Sequence, residues 1–189
     1  MESLAPEGFV STDDAITAFI WQSVARARIP RLEPSTPSTI MRAVNVRHHL
    51  GIPSSYPGPI QSNVYTCLSL QSLVDEPLGS VALRLRSALE PTKPDLTHRT
   101  REIATFLSRT RDKTLFSFGA KLNLSSDIIL SSWATLNVHD VNFSLGLGMP
   151  EAVRKPHRGK VEGLTFLMPR TLDGELSAAL CLRDEDLKT

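Results

Sequence analysis

Between Ser11 and Pro30, Ile16, Phe19, Ile20, Ser23, Val24 and Ala27 recur at helical spacing, which predicts a helix with one face turned inward. Ser11 or Thr12 supplies its N-cap, Asp13 and Asp14 occupy the first turn, and Pro30 stops it. The period then shortens. "STIMRAVNVRHH" is rich in β-branched residues, and "NVYTCLSL" alternates Val64, Thr66, Leu68 and Leu70 against Tyr65, Cys67 and Ser69, so both predict strands. The intervening "GIPSSYPGPIQS" is a loop by its Pro, Gly and Ser content.

Helical spacing returns in "EPLGSVALRLRSALEP". Pro77 stands at the first helical position there, and Leu78, Val81, Ala82, Leu85 and Leu89 line one side. "THRTREIATFLSRTRD" predicts a second helix with Ile103, Phe106 and Leu107 inward and its basic residues outward. A strand in "DIILSSW" follows, then "GLTFLMPR" and "ELSAALCLR" as a hairpin turned at Asp173-Gly174. This order predicts an α/β fold: a mixed β-sheet with helices packed on one face, in a single domain over residues 1–189. Neither an internal repeat nor a low-complexity tract interrupts it.

Composition narrows the classes. The 21 Lys and Arg are interspersed with 20 acids for a formal net charge of +1, which leaves no basic footprint for nucleic acid. No run of apolar residues is long enough to span a bilayer, and the N-terminus lacks the basic-then-apolar order of a secretory signal, so a cytoplasmic protein away from membranes is expected. Cys67 and Cys181 lie far apart in alternating apolar runs. They are expected to be buried thiols in a reducing compartment, not a disulfide or zinc site, and no metal is expected.

Catalytic motifs are sparse. An HxxxD base would need Asp four residues after a His, but Ile52, Pro53, Phe143 and Val161 follow His48, His49, His139 and His157 at that distance. His98 is followed by Glu102, a spacing that on a helix makes a surface ion pair. GxSxG, HExxH, Walker A and GxGxxG sequences are absent, and Gly146-Leu147-Gly148 follows no strand-to-helix turn. Neither cysteine has a histidine at a telling spacing, so no activated nucleophile is apparent.

Four stretches together, "STDDAITAFIWQSVARAR", "RAVNVRHHL", "SSWATLNVHDVNFSLGLGMPEAVRKP" and "EGLTFLMPRTLDGELSAALCLRDEDLKT", resemble the second half of BAHD-type acyltransferases. The fungal branch that includes the trichothecene acetyltransferases is the most similar. The resemblance implies a chloramphenicol-acetyltransferase-like half domain, with the HxxxD-bearing N-terminal domain absent from this chain. It implies acyl-CoA-dependent O-acyl transfer in fungal secondary metabolism, with acyl-CoA as co-substrate, a small-molecule metabolite as acceptor, and no activity in this chain alone. The alternative expectation is a stand-alone relative that binds, isomerises or cyclises a hydrophobic metabolite, as a homodimer rebuilding the two-domain cleft. A structural partner for a separate first-half chain is a third.

By the same resemblance, Ser131, Ser132 and Trp133 lie near the acyl-donor channel, although Trp133 also fits a half-buried core aromatic. Arg154, Lys155 and Arg158 are candidates to meet coenzyme A phosphates as mobile charges, although a short basic run also fits a solvated face. Asn142, Phe143, Ser144, Leu145 and Gly146 take the place of the family's DFGWG-like structural loop, and Asn45 that of the acid in its D-x-R strand. Asn142 could then offer Arg47 only a neutral hydrogen bond, weaker than a charge-assisted one, with Asp140 of His139-Asp140 as a nearby compensating carboxylate. Ser144, in place of a glycine, would be strained wherever φ is positive.

Overall fold

The computed structural model describes residues 9–89, 94–156 and 159–188. Helix α1 (Thr12–Arg28) starts in a capping box. The Ser11 hydroxyl accepts from the Asp14 amide, and the Asp14 carboxylate accepts from the Ser11 amide. Strands β1 (Pro37–Asn45) and β2 (Gln61–Ser69) pair antiparallel. A helical turn, α2 (Arg47–Leu50), lies between them. Two short helices, α3 (Leu70–Asp75) and α4 (Leu78–Ser87), precede the longer α5 (Pro94–Arg109). Strands β3 (Ile128–Ser132), β4 (Leu164–Leu167) and β5 (Ala178–Leu180) complete a five-stranded sheet in the order β2-β1-β3-β4-β5. The β1–β3 and β3–β4 pairs are parallel and β4–β5 is antiparallel, so the sheet is mixed, as expected.

Helices α1, α3 and α4 bury the core against one face of the sheet. Trp21, Val24, Leu70, Leu73, Val81 and Leu85 pack there with Ile40, Ile128, Leu130 and Leu167. Several boundaries depart from expectation. Strand β1 stops at Asn45 and does not continue to His49, because the Asn45 side chain accepts the Arg47 amide and Gly51, at φ +65°, closes the resulting turn. Leu70 opens α3 instead of ending β2, since the Ser69 hydroxyl caps the Ser72 amide. Pro77 is the residue before α4 and not its first, and Leu78 is exposed.

Helix α1 also differs in which face it buries. Phe19 is 57% exposed, whereas Thr17, Gln22 and Arg28 are buried. Packing against both α4 and α3 encloses most of its circumference; Gln22 and Arg28 find partners inside, whereas the Thr17 hydroxyl has none among the described residues. The Gln22 amide donates to the carbonyls of Leu73 and Glu76, and Arg28 donates to those of Asp127 and Leu124. On α5, Ile103 and Leu107 are half-buried but Phe106 is exposed, because this helix runs along the edge strand β2 and not over the core.

Cys67 is exposed and Cys181 half-buried, which corrects the expectation of two buried thiols. Alternation along β2 sends Val64 and Leu68 to the helix-covered face, and Tyr65 and Cys67 to the other. The hairpin at Asp173-Gly174 forms as expected, with Gly174 at φ +81° and its amide bonded to the Thr171 carbonyl. Gly163, at φ +74°, enters β4 where a Cβ would lie 2.5 Å from the Asp127 carbonyl oxygen, so this crossing of β3 and β4 requires glycine. Among the described residues no helix is long and apolar enough to cross a membrane.

Candidate functional site

The site is built around the end of β3. Strand alternation divides its three polar and aromatic residues between the two faces. Ser132 turns toward α1, donating its hydroxyl to Asp13 Oδ1 at 2.5 Å and accepting the Ala134 amide at 3.4 Å. Asp13 in turn accepts from Arg42, whose guanidinium also bonds Asp14 at 2.8 Å and the Leu85 carbonyl at 3.3 Å. The end of β3 is therefore tied through Asp13 to a buried arginine in β1 and to α4. In this arrangement the one hydroxyl proton of Ser132 is already committed to a carboxylate.

Ser131 pairs with Phe166 across the β3–β4 ladder, on the face opposite to Ser132. Trp133, half-buried, presents its ring edge-on to Phe166, with centroids 5.4 Å apart, and its amide donates to the Leu167 carbonyl. Lys155 seats its ammonium 3.7 Å from the Phe166 ring centroid. Trp133, Phe166 and Lys155 thus form one stacked wall beside Ser131. Arg154 is exposed next to it, and Arg158 lies outside the described residues.

The chain then turns through Val138–Asp140, where His139 Nδ1 donates to the Pro150 carbonyl at 3.2 Å, closing the base of the loop over residues 141–149. Apolar side chains project outward from that loop. Phe143 is 59% exposed and Leu147 85%, with Val141, Leu145 and Met149 exposed beside them. Asn142 Oδ1 accepts the Ser144 amide at 2.8 Å, and Ser144 sits at φ +55° between that bond and Gly146 at φ +71°. The expected strain at Ser144 is present.

Arg47 and Asn142 are not brought together. Arg47 donates to Asn45 Oδ1 and to the carbonyls of Tyr56 and Gly58, so it clamps the β1–β2 loop and leaves the 141–149 loop to be held by its own turns. Asn142 is neutral and offers no charge to draw the guanidinium across, and the carbonyls of the β1–β2 loop hold it instead. Asp140 is exposed and close to Arg170, both lining a cavity of about 210 Å³ with His139. It does not substitute for a carboxylate at Arg47.

Sequence reasoning missed Asp13 and Arg42. The signal was an arginine amid "TIMRAV", which in a core strand requires a buried anion. It also missed His49, whose two ring nitrogens are buried without a hydrogen-bond partner among the described residues.

Replacing Ser144 with glycine is expected to raise the melting temperature by about 1–3 °C, because relief of left-handed backbone strain of about 1 kcal/mol outweighs the larger entropy of glycine in the unfolded chain. Thermal unfolding of Ser144→Gly beside Ser144→Ala, which keeps the strain, checks this.

The mixed sheet with helices on one face is that of the coenzyme A-dependent acyltransferase fold. The chain belongs to the Transferase family, whose model matches residues 4–189. It is 53% identical over 184 residues to the O-acetyltransferase dmxR13 of Cryptosporiopsis sp., covering 97% of this chain and 40% of that protein. Identity to the trichothecene 3-O-acetyltransferase TRI101 of Fusarium sporotrichioides is 45%, again over 97% of this chain and 40% of the relative. The crystal structure of that enzyme complexed with coenzyme A and T-2 superimposes with a TM-score of 0.89 at 44% identity, over 97% of this chain and 42% of that one. The resemblance to fungal BAHD-like acyltransferases is borne out, and the chain spans about 40% of the length of these relatives.

Proposed function

We propose that this chain forms one wall of the channel in an acyl-CoA-dependent O-acyltransferase of fungal secondary metabolism, with the general base supplied from outside its 189 residues. The observation that carries the reading is the apolar loop at 141–149. Its exposed Phe143, Leu145 and Leu147 call for a covering surface, and this chain spans only 40% of the relative's length. In this reading the loop packs on an HxxxD-bearing half, and Ser131, Trp133 and Phe166 face the channel. Ser132 positions the end of β3 through Asp13 and Arg42, and Arg154 meets the phosphates of coenzyme A. The exposed, unpaired Cys67 fits a reducing compartment such as the cytoplasm.

Acyl transfer from a thioester to an alcohol requires a base within hydrogen-bond reach of the acceptor hydroxyl and donors facing the developing oxyanion. No HxxxD is present here to supply the first. The purified chain is therefore expected to turn over no acetyl-CoA with a trichothecene alcohol, and to gain transfer when co-expressed with the HxxxD-bearing part of TRI101. Heat-sensitive transfer by the chain alone, or co-purified halves that stay inactive, would overturn the reading. Sizing the chain in solution tests the alternative: a stable homodimer with the loop protected from proteolysis would favour a cleft rebuilt from two copies.

A further inference from the structure

On the sheet face that α1, α3 and α4 leave uncovered, β1, β2, α5 and the segment 116–122 enclose a cavity of about 670 Å³. Its walls are mostly apolar and aromatic. Ile103 comes from α5, Phe116 and Phe118 form the roof, and alternation along β2 turns Asn63, Tyr65 and Cys67 up from the floor. The roof is fixed in place: Phe116 and Phe118 meet edge-to-face at 4.7 Å, and the Tyr65 hydroxyl donates to the Phe118 carbonyl at 2.8 Å. Arg99 belongs to the wall, committed to the Asn63 carbonyl, to the Tyr65 ring and to a further interaction. Asn63 itself is the exception among these polar groups. It lines the cavity at 6% exposure, and its side-chain amide, unlike its carbonyl, has no hydrogen-bond partner among the described residues.

We propose that this cavity binds a neutral amphiphile with a single hydroxyl, of the medium-chain alcohol type, its hydroxyl on the Asn63 carboxamide and its alkyl body along Tyr65 beneath Phe116 and Phe118. The volume falls within the range of small-ligand pockets, and an apolar enclosure with a few polar groups is their usual composition. A buried polar group normally has a partner, and a carboxamide presents both donors and an acceptor, which one hydroxyl answers together. A charged head fits less well, because it would be dehydrated among apolar walls while Arg99 is committed elsewhere. Asn63 and Cys67 stand about 13 Å apart along β2, at about 3.3 Å per residue, so a ten-carbon chain anchored at Asn63 reaches the thiol and a six-carbon chain falls short. Neither a histidine nor a carboxylate lines the cavity, so a hydroxyl held there meets no general base from its walls and is bound, not acylated. The cavity also shares no lining residue with Ser131–Trp133 or with the 141–149 loop.

Cys67 provides the readout, because it is exposed and lines the cavity, and the half-buried Cys181, which does not line it, is the internal control. Alkylation of each by iodoacetamide can be followed by peptide mass. Decanol at ten times its half-protecting concentration is expected to slow alkylation of Cys67 about tenfold, by simple occupancy, and to leave Cys181 unchanged. Hexanol and decanoate are each expected to protect less than decanol. Asn63→Ala should weaken decanol protection roughly three- to tenfold, the loss of one hydrogen bond. An alkylation rate at Cys67 unchanged by decanol, or slowed equally at both cysteines, overturns the site. Decanoate protecting as well as decanol overturns the neutral head, and it does so on the unsubstituted chain, whether or not Asn63→Ala folds. Decanol protection unchanged in a folded Asn63→Ala overturns the placement of the hydroxyl. None of these outcomes depends on whether the chain takes part in acyl transfer.

Discussion

Asp186→Ala is expected to destabilise the fold by about 3–5 kcal/mol, the usual cost of leaving a buried charge without its partner. Asp186 is 4% exposed and accepts from Arg31 Nε at 2.6 Å and from Arg28 Nε at 3.5 Å. Arg28 is fully buried on α1, and burial holds its pKa below the ordinary arginine value even with Asp186 beside it. Glu162 contacts both arginines and Arg183, so this cluster pins the segment after β5 and the entry to β4 onto the first helix. Removing the carboxylate leaves Arg28 with backbone carbonyls and a Glu162 oxygen 3.8 Å away. The melting temperature should fall by roughly 6–20 °C, using about 2–4 °C per kcal/mol for a chain of this size.

The same residue sets a pH dependence. Burial alone would raise the Asp186 pKa, but the hydrogen bond from Arg31 and the charges of Arg31 and Arg28 outweigh it and hold the carboxyl below its ordinary value. A depressed folded-state pKa contributes stability that is complete above the unfolded value of about 3.9 and is lost as pH falls through the folded value. Denaturant titrations from neutral pH downward should therefore show the native chain losing stability in the acid range, while Asp186→Asn, less stable at pH 7, loses less over the same range. Parallel curves for the two chains would show that Asp186 carries no such linkage.

The second large effect is expected at Arg42. Arg42→Met should cost about 3 kcal/mol or more, because Asp14, fully buried, loses its closest cation. The Ser11 cap and Arg86, 3.9 Å away, offset part of that loss. Adding Asp14→Asn to Arg42→Met should recover part of the stability, giving a coupling energy of about 1–3 kcal/mol in a double-mutant cycle. Function should respond as well: with Arg42 gone, Asp13 and the Ser132 hydroxyl lose their anchor and the end of β3 loosens. In an enzyme reconstituted as proposed above, Arg42→Met is expected to lower kcat and raise KM together, whereas purely global destabilisation would lower the active fraction and leave KM unchanged.

Much of the architecture could be read from periodicity because it depends on local chemistry. The Ser11 cap with its acidic first turn, the alternation of β2 and the Asp173-Gly174 turn each bias the backbone within a few residues, and each appears where expected. The left-handed strain at Ser144 was legible for the same reason, since it depends on backbone angle and the presence of a Cβ. The family was legible too, because the quoted stretches follow one another in the order of the relatives over nearly the whole chain.

Partners that meet from distant parts of the chain were decided only by the tertiary structure. Whether a cysteine on β2 is buried depends on which sheet face the helices cover, and Cys67 fell on the uncovered one. Whether Arg47 reaches Asn142 depends on the β1–β2 loop, whose carbonyls claimed the guanidinium first. The link from Ser132 to Asp13 joins residues 119 positions apart, and that from Arg28 to Asp186 joins residues 158 apart. Local propensity contains no information about such pairs. Their energy arises only when packing brings a charge out of water and leaves one opposite charge within reach.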